Sequence, residues 1–155
     1  MRLPACPKLL ILCVLCLAGP VLASCDRDER VRAEAHTFLA VYKATDHRAP
    51  IPERERKIGQ LEQLTLSEQV VRAARDECVG AHRALVRAEL ENDTASSQLD
   101  KAIAGQPDGG ALKPVDTLRI RAGIEQAASS VADARTRFEK CETQARSLSL
   151  RFGTR

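Results

Sequence analysis

Two long stretches of the chain carry apolar or small residues spaced alternately three and four apart, which is the pattern of a coiled-coil seam. The first seam is Val71, Ala74, Cys78, Ala81, Leu85, Ala88, Asn92, Ala95, Leu99 and Ala102. The second seam is Thr117, Ile120, Ile124, Ala127, Val131, Ala134, Phe138, Cys141, Ala145, Leu148 and Phe152. The pattern predicts two long helices, at about 65–104 and 114–152, that face each other along these positions.

The segment 105–113 separates the two seams and contains residues that end helices. Gly109 and Gly110 permit backbone angles that other residues avoid, and Pro107 cannot continue a helix. We therefore expect the chain to turn at 105–113. The predicted fold is all-α: a long antiparallel, coiled-coil-like helical hairpin, with one or two shorter N-terminal helices packed on its base.

Cys78 and Cys141 lie at equal distances along the chain from the glycine pair of this turn. Because both helices rise about 1.5 Å per residue, the two cysteines should face each other. The same register pairs Ala81 with Phe138, Leu85 with Ala134, Ala88 with Val131 and Leu99 with Ile120. Large residues mostly meet small ones, so the backbones can approach to the roughly 7 Å that a disulfide needs. The sequence predicts a Cys78–Cys141 disulfide.

Two other roles remain open for these cysteines. Free cysteines often lie buried on apolar helix faces as small hydrophobic residues. Alternatively, Cys78 and His82 are one helical turn apart and could bind zinc together with Cys141. A small-ligand or metal site around His36, His82 and Cys141 is a wider form of the same idea.

The N-terminal segment 1–24 has the organisation of an export signal. Arg2 and Lys8 precede the apolar run 9–17, which is too short for a membrane-spanning helix, and small residues follow it. The next residues, Leu22-Ala23-Ser24-Cys25, resemble the lipobox of bacterial lipoprotein precursors. The resemblance implies that 1–24 is removed and that Cys25 carries a diacylglyceryl thioether and an N-acyl chain. Ordinary signal cleavage after Ala23 is the alternative.

Cysteine counting favours the lipid. Three of the six cysteines lie in the signal, so the exported chain keeps Cys25, Cys78 and Cys141. Lipid on Cys25 leaves an even pair in an oxidising compartment. We expect a membrane-anchored protein of the bacterial cell envelope that faces the periplasm or the exterior. Asp26 resembles an inner-membrane retention signal of enterobacteria-like sorting.

The mature chain 25–155 is expected to form a single domain. Val31, Ala35, Phe38 and Tyr42 lie on one face of a helix predicted at about 28–45, and a second helix is predicted at about 53–64. Phe38 and Tyr42 are expected to pack this first helix onto the hairpin, with a partner-binding spot as the alternative.

Two polar segments are expected to shape the first long helix. Thr65 and Glu68 have the spacing of a capping box, which predicts a helix start or a kink there. The polar run 92–97 weakens the same helix and is expected to be a hinge or a new helix cap.

Composition argues against several functions. The net charge of +3 falls to about +1 without the signal, and only 3% of residues are aromatic. No basic stripe with interleaved aromatics is present, so nucleic acid is disfavoured. The sequence contains no His-Glu-x-x-His pair, Gly-x-Ser-x-Gly elbow or phosphate-binding loop. We therefore expect a protein that is not an enzyme and that binds no cofactor and no metal.

The expected function is that of a lipid-anchored helical binding or structural module with a protein partner in the envelope. A periplasmic helical chaperone or stress-sensing accessory is the alternative. Leu64-Thr65-Leu66-Ser67-Glu68-Gln69 is similar to the Leu-Thr-x-x-Gln motif of such helical-hairpin chaperones. It has one residue more between Thr65 and Gln69, and the motif occurs once.

Overall fold

The computed structural model describes residues 27–105 and 114–153. These residues form four α-helices and no β-strand: α1 at 27–43, α2 at Ile51–Glu62, α3 at Gln69–Ala104 and α4 at Pro114–Phe152. The all-α prediction is therefore confirmed. The export signal 1–24, Cys25, Asp26 and all of the turn except Gly105 lie outside the described residues.

The start of α3 differs from the prediction. Residues 64–68 are not helical, and Glu68 has an extended backbone with φ −78° and ψ 121°. Because α3 begins at Gln69 and no side-chain capping hydrogen bond forms at Glu68, the helix start that the capping box predicted at Thr65 is wrong. Instead, the Glu34 carboxylate of α1 accepts hydrogen bonds from the backbone N–H groups of Ser67 and Glu68, at 3.0 and 2.9 Å.

The polar run 92–97 does not interrupt α3, which is one helix from Gln69 to Ala104. Thr94 Oγ1 donates a hydrogen bond to the Leu90 carbonyl at 2.7 Å, one turn earlier in the same helix. The hydroxyl is thus satisfied without breaking the helical backbone.

The main hydrophobic cluster joins all four helices. Its largest fully buried side chains are Phe38, Leu61, Val71, Cys78 and Cys141. On α3 the cluster extends no further than Val86, and on α4 it begins at Cys141. Phe38 is buried and Tyr42 packs against the cluster.

Beyond this cluster, α3 and α4 pack mainly through alanines, with one isoleucine near the start of α4. The buried positions there are Ala88, Ala95, Ile120, Ala127 and Ala134. Ile124 and Val131, which the sequence placed in the seam, are 48% and 51% exposed. Two helices cover only a narrow strip of each other, so alanines fill the contact and bulkier side chains at its edge face solvent.

Candidate functional site

Cys78 of α3 and Cys141 of α4 form a disulfide with an S–S distance of 2.07 Å, and both residues are fully buried. Their Cα atoms are 4.7 Å apart, much closer than the axes of ordinary packed helices. The buried alanines Ala81 and Ala145 lie one turn away and leave room for this approach. The pairing is the one that the spacing of the two seams predicts.

The structure places the residues of the suggested metal site in different surroundings. The bonded cysteines offer no thiolate to a metal ion. His36 Nε2 donates to the Phe152 carbonyl at 3.3 Å, whereas His82 lies among aromatic rings. Within 27–105 and 114–153, no group of three or more His, Cys, Asp or Glu residues is arranged to hold a metal ion.

His82 is the most unusual titratable group of the described chain. His82 is only 2% exposed, and its Nε2 has no hydrogen-bond partner. The rings of Tyr42 and Phe138 lie edge-on to it, at centroid distances of 6.1 and 5.1 Å. Burial, with His47 and Arg54 adding smaller effects of the same sign, lowers the pKa of His82 to about 4. The imidazole is therefore neutral at pH 7.

Arg54 of α2 is a second buried polar residue, with a side chain that is 3% exposed. Its guanidinium pairs with the Glu89 carboxylate of α3, which is 45% exposed, while its Nε has no partner. Residues 53–57 carry alternating charges, which do not by themselves indicate a buried side chain. The overlooked signal is spacing, since Arg54 lies four residues before Ile58 and seven before Leu61 and so shares their buried face.

A groove runs along α3 and α4 beyond the main cluster, with a volume of about 390 Å³. We call it the arm groove; its lining is Asn92, Ala95, Ser96, Leu99, Ile124, Ala127, Ala128 and Val131. The buried Ala95 and Ala127 form its floor, and the half-exposed Ile124 and Val131 stand at its edge. None of the lining residues is charged, so the groove suits an apolar surface and offers no general acid, base or nucleophile of low pKa.

A second groove, of about 470 Å³, lies between α2 and α3 and has a different character. Glu55, Arg83 and Arg87 contribute to its lining beside apolar residues. Arg83 is already paired with Glu62 of α2 at 2.6 Å. Arg83 therefore holds α2 and α3 together as well as lining this groove.

No helix within 27–105 and 114–153 combines the length and the apolar character needed to cross a membrane. Comparison of the chain with protein-family models, with curated proteins and with solved structures finds no match.

Proposed function

We propose that this chain is a lipid-anchored, non-enzymatic binding module of a bacterial cell envelope, built as an antiparallel helical hairpin with α1 and α2 on its base. The order of contacts supports the hairpin. Cys78 is bonded to Cys141, and further along α3 the Cβ of Ala95 lies 3.9 Å from the position that a Cβ on Gly123 would take. As the residue number increases along α3, the residue number of the contacting position on α4 decreases, which is the order expected of antiparallel helices.

The arm groove is the observation that carries the binding function. We call the part of the molecule that holds the main hydrophobic cluster the base, and the part of α3 and α4 beyond it the arm. In the base, α1 and α2 cover the apolar faces of α3 and α4. In the arm, the groove edge at Ile124 and Val131 stays half exposed. A third helix laid along the groove would cover these side chains, as α1 covers α3 and α4 in the main cluster with its own buried Phe38. We propose that the partner presents an apolar helix face to this groove.

The proposed lipid would hold the base against the bilayer. Cys25 precedes the first described residue of α1 by two positions, a reach of roughly 7 Å. Arg27 and Arg30 at the start of α1 pair with Glu68 at the start of α3, at 3.7 and 3.2 Å. An acylated Cys25 would therefore place the base next to the membrane and direct the arm groove away from it.

The alternative function is that of a periplasmic helical chaperone. The large apolar side chains that the described chain exposes favour it: Val70, Leu90, Ile103, Leu118, Ile124, Val131 and Leu150. A chaperone would bind many unfolded clients through these scattered residues, whereas a module would bind one partner through the arm groove.

The mass of the intact, membrane-extracted protein tests the anchor. It is measured after alkylation with and without prior reduction. We expect a chain that begins at Cys25 with added acyl mass, and two alkyl groups that appear only after reduction. A chain that begins at Ser24 with no added mass would contradict the anchor, and alkylation without reduction would contradict the disulfide.

Site-specific photocrosslinking in intact cells tests the groove. A crosslinking amino acid at Ile124 should give one dominant product, while the same amino acid at the exposed Lys140 of α4 should not. Equal capture of one protein at both positions would contradict recognition by the groove. A broad ladder of products from Ile124 would favour the chaperone.

A further inference from the structure

Four parts of the chain converge on the imidazole of His82. Tyr42 of α1 and Phe138 of α4 place their rings against it, at 6.1 and 5.1 Å between centroids. His47, from the loop between α1 and α2, also packs against the Phe138 ring, with ring centroids 6.0 Å apart, and acts electrostatically on His82. Arg54 of α2 acts electrostatically on the same imidazole. The His82 side chain of α3 thus contacts α1 and α4 directly, and α2 acts on it through the charge of Arg54.

The charges around His82 are unfavourable to a second cation. Arg54 is buried beside it, and both Arg54 and His47 act electrostatically against a positive charge on His82. The nearby carboxylates act on other groups: Glu89 is paired with Arg54, and Glu142 of α4 influences the Tyr42 phenol. His82 Nε2 has no acceptor within hydrogen-bond distance, so a proton added there would be buried without a partner.

We propose that His82 makes the base acid-sensitive, so that protonation of its imidazole releases α1 and α2 from α3 and α4. The release is local because the two pairs of helices are held differently. The Cys78–Cys141 disulfide joins α3 to α4 covalently, whereas α1 and α2 are held by packing and by contacts such as Arg54 with Glu89. This inference requires neither the proposed lipid nor the proposed partner.

The direction in which the His82 pKa is shifted determines the pH range in which α1 and α2 are released. In the open form His82 is solvated and takes up a proton below its ordinary value of 6.5, whereas in the closed form its pKa is about 4. The closed form is therefore fully favoured above pH 6.5 and loses stability as the pH falls toward 4. The ratio of closed to open molecules should fall by up to about tenfold per pH unit in that range.

Hydrogen exchange followed by mass spectrometry tests the release on the intact, oxidised chain at pH 7 and pH 5. After correction for the intrinsic exchange rates, peptides of α1 and α2 should lose protection at pH 5, on the order of 30-fold. Peptides around the disulfide in α3 and α4 should keep theirs. The variant His82→Gln should abolish this acid response, and the matched control His36→Gln should retain it.

Three results would overturn the proposal. One is an unchanged exchange pattern of the wild-type chain between pH 7 and pH 5. Another is equal loss of protection in all four helices, since this would mean global unfolding. The third is an acid response that survives in folded His82→Gln. If that variant does not fold, an NMR titration of the wild-type imidazole decides: a His82 pKa below 5 supports the proposal, and a value near 6.5 overturns it.

Discussion

The Glu34 carboxylate accepts hydrogen bonds from the backbone N–H and the hydroxyl of Ser67, at 3.0 and 2.6 Å, although 33 residues separate the two in sequence. The same carboxylate accepts the N–H of Glu68, which directly precedes α3. A negative charge at the N-terminus of a helix interacts favourably with the helix dipole. The start of α3 is therefore stabilised by a side chain of α1.

Glu34→Ala should lower the free energy of unfolding at pH 7 by about 1 kcal/mol, because it removes this long-range cap. Burial raises the pKa of Glu34, but the hydrogen bonds from Ser67 and Glu68 outweigh it, so the pKa lies below the ordinary 4.5. The stabilisation is thus present above the unfolded pKa and is lost as the pH falls through the folded value. Urea titrations should show that the free energies of unfolding of the wild-type chain and of Glu34→Ala converge at pH 3. If Glu34→Ala loses as little stability at pH 7 as Glu29→Ala, which changes an exposed residue, the cap is contradicted.

The Arg54–Glu89 pair should respond unequally to removal of its two members. Glu89→Gln leaves the buried guanidinium without its counter-ion and should cost about 2 kcal/mol. Arg54→Met removes the charge and keeps an unbranched apolar chain, so it should cost less, about 1 kcal/mol or below. Urea unfolding at neutral pH measures both variants. A larger cost for Arg54→Met would show that the pair stabilises the base in its own right.

Reduction of Cys78–Cys141 should destabilise the chain by about 4 kcal/mol, because the bond closes a loop between residues 63 apart. Urea titrations of the wild-type chain with and without a reductant measure the difference. The double variant Cys78→Ala with Cys141→Ala is the control, and its unfolding midpoint should not change on adding reductant. Identical midpoints for the oxidised and reduced wild-type chain would contradict a stabilising disulfide.

The two long helices and their cysteine pair could be predicted because they depend on spacing within the sequence. Alternate steps of three and four residues define one face of a helix, and equal distances from a turn define which residues meet. The same reasoning failed at Ile124 and Val131. Spacing shows which side chains share a face, but it does not show how many neighbouring helices cover that face.

The Glu34 cap and the buried Arg54 could not be predicted in the same way, since both depend on contacts between helices that are distant in sequence. Glu34 reaches the start of α3 only when α1 lies beside it, and Arg54 is buried only when α2 packs on α3. The local pattern at Thr65 instead suggested a capping box. Lipidation of Cys25 stays a prediction.

Packing of α1 on the base can be tested with a matched pair of substitutions. Phe38 is fully buried and its ring stacks on Tyr42 with centroids 5.8 Å apart, whereas Leu150 of α4 is 80% exposed. Phe38→Ala should lower the free energy of unfolding by about 3–5 kcal/mol, because it leaves a cavity among the four helices. Leu150→Ala should change it by less than about 0.5 kcal/mol.

Phe138→Ala should cost less than Phe38→Ala, since Phe138 is only partly buried at the edge of the main cluster, where its ring contacts those of His47 and His82. All three variants can be compared by thermal and urea unfolding of the oxidised chain. If Phe38→Ala is as mild as Leu150→Ala, α1 does not belong to the core. If it is severe while α3 and α4 keep their hydrogen-exchange protection, the disulfide-joined pair holds together without α1, which the acid-induced release of α1 and α2 also requires.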